Sequence, residues 1–92
     1  MAKEKVKGKS ALPAITGPQL GRLLILDGWA ELRRGSHGQI YSKRVDGDYL
    51  VTNVSLKRES IPDGTLSAIL GTKQTRLGKN GMRALIEKHG LS

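Results

Sequence analysis

The dipeptide Asp46-Gly47 constrains this chain more than any other feature. Both residues accept the positive φ angles that a type I′ turn demands, and β-forming runs flank them, Gln39-Ile40-Tyr41-Ser42-Lys43-Arg44 before and Tyr49 to Ser55 after. Two strands joined this tightly must be antiparallel neighbours. A third strand is expected upstream, because from Trp29 onward Ala30 and Leu32 alternate with Glu31 and Arg33 before Gly35-Ser36 turns the chain.

Outside this block the apolar period lengthens to that of a helix. Thr16-Gly17-Pro18 supplies a capping residue and an early proline, Leu20, Leu23 and Leu24 follow at helical spacing, and Asp27-Gly28 stops the run, which predicts a helix over about Pro18 to Asp27. Gly28 is the expected left-handed glycine, with Trp29 folding back as its apolar contact. Ser60-Ile61-Pro62-Asp63 reads as the entrance of a second helix, Ser60 capping it and Leu66, Ile69 and Leu70 forming its buried stripe as far as Gly71. Asn80 is expected to cap a last helix carrying Met82, Leu85 and Ile86, closed by Gly90-Leu91. The predicted class is therefore α+β: an α-β-β-β-α two-layer sandwich with an additional C-terminal helix, its three-stranded antiparallel sheet covered by helices on one face only.

Ninety-two residues suffice for one domain, with residues 1–14 expected to be a basic, disordered tail and residues 15–92 the folded unit. With no cysteine and two distant histidines, neither a disulfide framework nor a metal site is expected, and no cofactor is implied. The longest apolar run, Leu23 to Leu26, is too short to span a bilayer, and the basic start is followed by no apolar signal region, so a cytoplasmic protein with no membrane partner is expected. Sixteen Lys and Arg against eight Asp and Glu leave a net charge of +8, and the tail accounts for only part of it, so nucleic acid leads the possible partners.

On the second strand His37, Gln39, Tyr41 and Lys43 share one parity and Ile40 the other. Taking Ile40 as the inward residue turns the first set outward, so that Arg33, His37 and Lys43 share the open face, Tyr41 either packs across the strands, the plainer reading, or stacks a base, and Arg34, Arg44, Lys57 and Arg58 add charge at the edges. A free histidine side chain ordinarily changes charge near neutrality, so an imidazole at position 37 is a candidate to accept a proton from an RNA 2′-hydroxyl, with neighbouring cations to stabilise the anionic transition state. No close carboxylate pair of the kind that holds two magnesium ions is evident, and there is no P-loop or cysteine nucleophile. The extension after Leu70 carries Lys73, Arg76, Lys79 and Arg83, either as further phosphate contacts or as a solvated face.

Thr16-Gly17-Pro18-Gln19-Leu20, Asp27-Gly28-Trp29, Arg33-Arg34-Gly35-Ser36-His37 and Pro62-Asp63-Gly64-Thr65-Leu66-Ser67-Ala68-Ile69-Leu70 resemble the successive motifs of HicA-type toxins, over about Ile15 to Leu70. The resemblance implies a dsRBD-like fold and an endoribonuclease that cleaves mRNA as the toxin of a toxin–antitoxin system. It implies a catalytic role for His37 alone, read here as the base, and the RNA-binding set expected around it from strand parity and charge is Arg33, Arg34, Gly35, Ser36, Tyr41, Lys43, Arg44, Lys57 and Arg58. The implied partners are mRNA and a HicB-like antitoxin, the free protein being a monomer and the inhibited form a hetero-oligomer. The segment between Trp29 and Gly35 is one residue shorter than the usual family spacing, and the third strand lacks the proline and second histidine often found there, which leaves the general acid unassigned. The alternative is a non-catalytic RNA-binding or antitoxin-binding protein on the same scaffold.

Overall fold

The computed structural model describes residues 12–35 and 38–91, which form helix α1 (Gly17–Leu26), strands β1 (Ala30–Gly35), β2 (Gly38–Val45) and β3 (Asp48–Val54), and helices α2 (Asp63–Ile69) and α3 (Gly78–His89). The strands make one antiparallel sheet in the order β1-β2-β3. Among the described residues the expected α+β class, three helices with an open three-stranded antiparallel sheet, is the one observed.

The local signals at both ends of α1 act as their residue types suggest. Thr16 Oγ1 accepts from the Gln19 amide at 3.3 Å while Gln19 Oε1 accepts from the Thr16 amide at 3.0 Å, so two amide donors at the helix start are satisfied reciprocally. At the far end Gly28 has φ of 98°, its amide donates to Ile25 O and the Trp29 amide reaches back to Leu24 O at 2.9 Å. This is a Schellman closure, and it drops Trp29 into the core.

The hairpin is as the dipeptide dictates. Val45 pairs with Asp48, Asp46 and Gly47 both have positive φ, and every further pair from Arg44↔Tyr49 to Gln39↔Val54 follows without slippage. Strand β1 is less regular. Its register shifts between Glu31 and Arg33, which leaves Leu32 in a bulge and 50 % exposed rather than inward as the simple alternation predicts.

Side chains of one sheet face are buried under the helices: Gln39 and Tyr41 of β2 with Leu50, Thr52 and Val54 of β3. Of these, Tyr41, Leu50 and Val54 meet Leu20, Leu23 and Leu24 of α1, Leu66 and Ile69 of α2, and Met82 and Leu85 of α3 in a single apolar cluster. The parity expected for β2 is thus inverted. Ile40, expected inward, is half-buried on the opposite face, and Tyr41, expected outward, is only 4 % exposed. A tyrosine can sit there because α1 carries glycine opposite it. A Cβ built on Gly21 would collide with the Tyr41 hydroxyl and stand 3.1 Å from its Cζ.

Two expected caps are not used. Ser60 joins an isolated antiparallel bridge with Thr16, next to an Ile61 amide bond to Ile15 O of 2.8 Å, so α2 starts at Asp63 with no side-chain cap. Asn80 lies inside α3, which begins at Gly78 after Leu77. The last helix is instead tied at its other end: Arg22 donates to the carbonyls of Gly90 and His89, and Gln19 Nε2 donates to Leu91 O at 2.8 Å. The expected tail falls outside the described residues up to residue 11, while Leu12 packs half-buried against the core.

Because the buried ring of Tyr41 fills the space opposite Gly21, Gly21→Ala is expected to destabilise the fold by about 1–3 kcal/mol in urea unfolding, outweighing the gain in helix propensity of about 1 kcal/mol. Combining it with Tyr41→Phe, which removes the colliding oxygen, should recover a measurable part of that loss as a coupling between the two sites. Wild-type stability in Gly21→Ala alone would show that the ring can step aside.

Candidate nucleic-acid interface

The hydrogen-bonded register places the basic residues in two groups at opposite ends of the sheet. At the end where β1 passes to β2, Gly35 pairs with Gly38, and Arg33 and Arg34 are exposed just before Gly35. Gly38 has φ of 145°, and a Cβ there would run into the carbonyl oxygen of Val54 and stand 2.9 Å from Asn53 Oδ1. Only glycine therefore lets β2 start this close to the end of β3. Lys57 and Arg58 follow β3 at the same end, both exposed. Lys57 also lines a cleft of about 260 Å³ with Gly17, Asn53, Ser55, Glu59 and Thr65.

His37, the expected catalytic residue, and Ser36, an expected RNA contact, lie outside the described residues. What the structure describes is their frame: the paired glycines on either side and the exposed cations Arg33, Arg34, Lys57 and Arg58.

Arg33 lies opposite Ile40 and shares the open face, whereas Arg34 lies opposite Gln39 and shares the helix-side face at its exposed edge. The other two expected basic contacts, Lys43 and Arg44, sit at the hairpin end, five and six residues or about 17–20 Å along β2 from Gly38. Lys43 is on the helix side, where its ammonium donates to Asp27 O at 2.7 Å and pairs with Asp27 Oδ2 at 3.2 Å. That position puts a cation on the last carbonyls of α1, where the helix dipole favours one, so Lys43 closes a helix rather than facing solvent on the open sheet. Arg44 does face the open side, its guanidinium 5.8 Å from the centre of the Tyr49 ring.

Tyr41 leaves the expected stacking set. Its phenol is buried, and burial first and the charge of Glu31 second push its pKa above the ordinary tyrosine range. The exposed aromatic is Tyr49, with Val51 and Asn53 following it along the open side of β3. The turn register could have exposed this swap. It couples Tyr41 to the face of Leu50 and Val54, and Ile40 to the face of Tyr49 and Val51, so the two sets must be weighed as wholes. In the extension after α2, Arg76 donates to Asp48 Oδ2 at 2.9 Å and to Thr72 O, which ties that loop to the hairpin.

Among the described residues no group of three or more His, Cys, Asp or Glu side chains is arranged to hold a metal ion, and no helix is long and apolar enough to cross a membrane. The architecture and its site define an α+β chain with a one-sided sheet and basic residues at both sheet ends. Comparison with protein-family models, with curated proteins and with solved structures returns no match.

Two outcomes follow from these placements. Lys43→Met should lower stability by about 1 kcal/mol through loss of the helix-end cation, measured by urea unfolding at low salt. For Tyr41, a folded pKa above the unfolded value means the native state holds its proton longer. The associated stability is complete below about pH 10 and is lost as pH rises through the higher native pKa. Thermal midpoints measured from neutral pH to above pH 10 should therefore fall more steeply for the parent than for Tyr41→Phe, and parallel curves would contradict the assignment.

Proposed function

We propose that the chain is a HicA-like endoribonuclease with a dsRBD-like fold, the toxin of a toxin–antitoxin pair, which cleaves mRNA without a metal and is held inactive by a HicB-like antitoxin. The observation that carries this reading is the Gly35↔Gly38 pair at one end of the sheet, bracketed by exposed Arg33, Arg34, Lys57 and Arg58, with positions 36 and 37 between the glycines in sequence. The other motifs of the resemblance support it by where they fall. Thr16-Gly17-Pro18 opens α1, Asp27-Gly28-Trp29 closes it, and Pro62-Asp63-Gly64 opens α2.

In this reading the imidazole of His37 takes the proton of an RNA 2′-hydroxyl. The oxygen attacks the adjoining phosphorus, the bond to the 5′-oxygen breaks, and that oxygen takes a proton from water, so a 2′,3′-cyclic phosphate and a 5′-hydroxyl end result while the His37 imidazolium returns its proton to solvent. The guanidinium groups of Arg33 and Arg34 and the ammonium of Lys57 supply positive charge where the pentacoordinate phosphorus accumulates negative charge.

The test is incubation of the full chain with mRNA in the presence of a chelator. Cleavage by the parent chain, lost by at least about a hundredfold in His37→Ala and blocked when the 2′-hydroxyl at the cut site is replaced by hydrogen, supports the proposal. RNA that is bound but stays intact supports the non-catalytic alternative.

A further inference from the structure

The register sorts the paired side chains of the sheet onto two faces, Leu32 in the bulge having no partner. Ala30 and Arg33 of β1, Ile40, the buried Ser42 and Arg44 of β2, and Tyr49, Val51 and Asn53 of β3 share the face that no helix among the described residues covers. Tyr49 is 56 % and Val51 41 % exposed, and Leu32 adds a third exposed apolar side chain from the bulge. No carboxylate belongs to this set. The two acids of the strands lie elsewhere: Glu31 pairs across from Tyr41, and Asp48 is held by Arg76.

An open face with exposed apolar side chains, one aromatic and two arginines is chemically incomplete in water alone. Its occupant must offer flat or apolar surface together with negative charge. A second copy of the chain would bring Arg33 and Arg44 towards like charges with no acid on the same face to meet them. A duplex RNA buries its base faces in its own stack and offers mainly phosphates and 2′-hydroxyls, which leaves Tyr49, Val51 and Ile40 without partners. A single strand meets every requirement: its unstacked bases have π faces for the ring and the branched side chains, and its phosphates meet the guanidinium groups.

We infer that the open face of the sheet, centred on Tyr49 and Val51 and flanked by Arg33 and Arg44, is a stacking platform for single-stranded RNA. The inference rests on the proposal that the chain acts on RNA, and it names the form of RNA taken. Arg44 already backs Tyr49, its guanidinium 5.8 Å from the ring centre, which leaves the remaining ring surface to a base and the charge beside that base's phosphate. Arg33 stands beside Ile40, four residues along β2 from Arg44 or about 13 Å, a span suited to roughly two or three bases on a sheet. The strand would run from the hairpin towards the Gly35–Gly38 end, where the cleavage site is proposed.

The experiment is fluorescence anisotropy with the full chain and a short 2′-O-methylated oligouridylate, which keeps bases and phosphates but has no attacking hydroxyl. Tyr49→Ala should weaken binding about tenfold and Tyr49→Phe by much less, because the ring and not the hydroxyl carries the stack. Arg44→Gln should weaken binding and reduce its salt dependence. Duplex RNA of equal length should compete poorly. Circular dichroism of each variant confirms that the fold is retained, as expected for side chains that face solvent. Undiminished affinity in folded Tyr49→Ala and Arg44→Gln overturns the platform while leaving cleavage by His37 untouched. Equal competition by the duplex also overturns it, as does a Tyr49→Ala defect confined to an acidic protein partner or to self-association. A parent chain that neither binds nor cuts RNA overturns both this inference and the proposed function.

Discussion

The seat of Tyr41 beneath Gly21 decides which way the whole sheet faces. A two-residue turn at Asp46-Gly47 locks β2 to β3 in one register, so the strands have only two choices, and each choice turns every side chain together. Removing the ring from water and filling the space left by a glycine on α1 favours the orientation in which Tyr41, Leu50 and Val54 point at the helices. From that one decision follow the buried amide of Gln39, the reach of Lys43 to the end of α1, and the outward display of Arg44, Tyr49 and Val51.

Much of the architecture is readable from short-range chemistry. The Thr16 cap, the Gly28 closure, the Asp46-Gly47 reversal and the Met82, Leu85 stripe of the last helix all depend on residues within a few positions of one another, and each is observed. The face of the sheet is not legible in the same way, because β2 and β3 are apolar at both parities. Ile40, Tyr49 and Val51 compete with Tyr41, Leu50 and Val54, and the deciding residue, Gly21, lies on another element. Ser60 and Asn80 fail as caps for a related reason: a bridge to Thr16 claims the first, and the second lies inside a helix that starts two residues earlier. Of the candidate site, the split between the two sheet ends became visible only with the register, and Tyr41 and Lys43 moved to the helix side with it.

Net charge is correspondingly a blunt guide to the surface. Several of the sixteen cations work inside the fold: Arg22 holds the last turn of α3, Lys43 the end of α1, and Arg76 the loop beside the hairpin. Positive charge placed on backbone carbonyls and on Asp27 or Asp48 joins elements at their ends, beside the apolar cluster. The cations at the Gly35–Gly38 end, by contrast, sit on exposed strand and loop positions.

The bulge at Leu32 bears on how this molecule behaves when crowded. Strand β1 is the outer member of the sheet and is exposed over nearly its whole length, the arrangement that invites a stray chain to add itself by backbone pairing. An interrupted ladder with Glu31, Arg33 and Arg34 around the break offers such an intruder neither a straight row of donors and acceptors nor a neutral border. The irregularity that sends a leucine into solvent thus also guards the margin of the sheet against fibril-like growth.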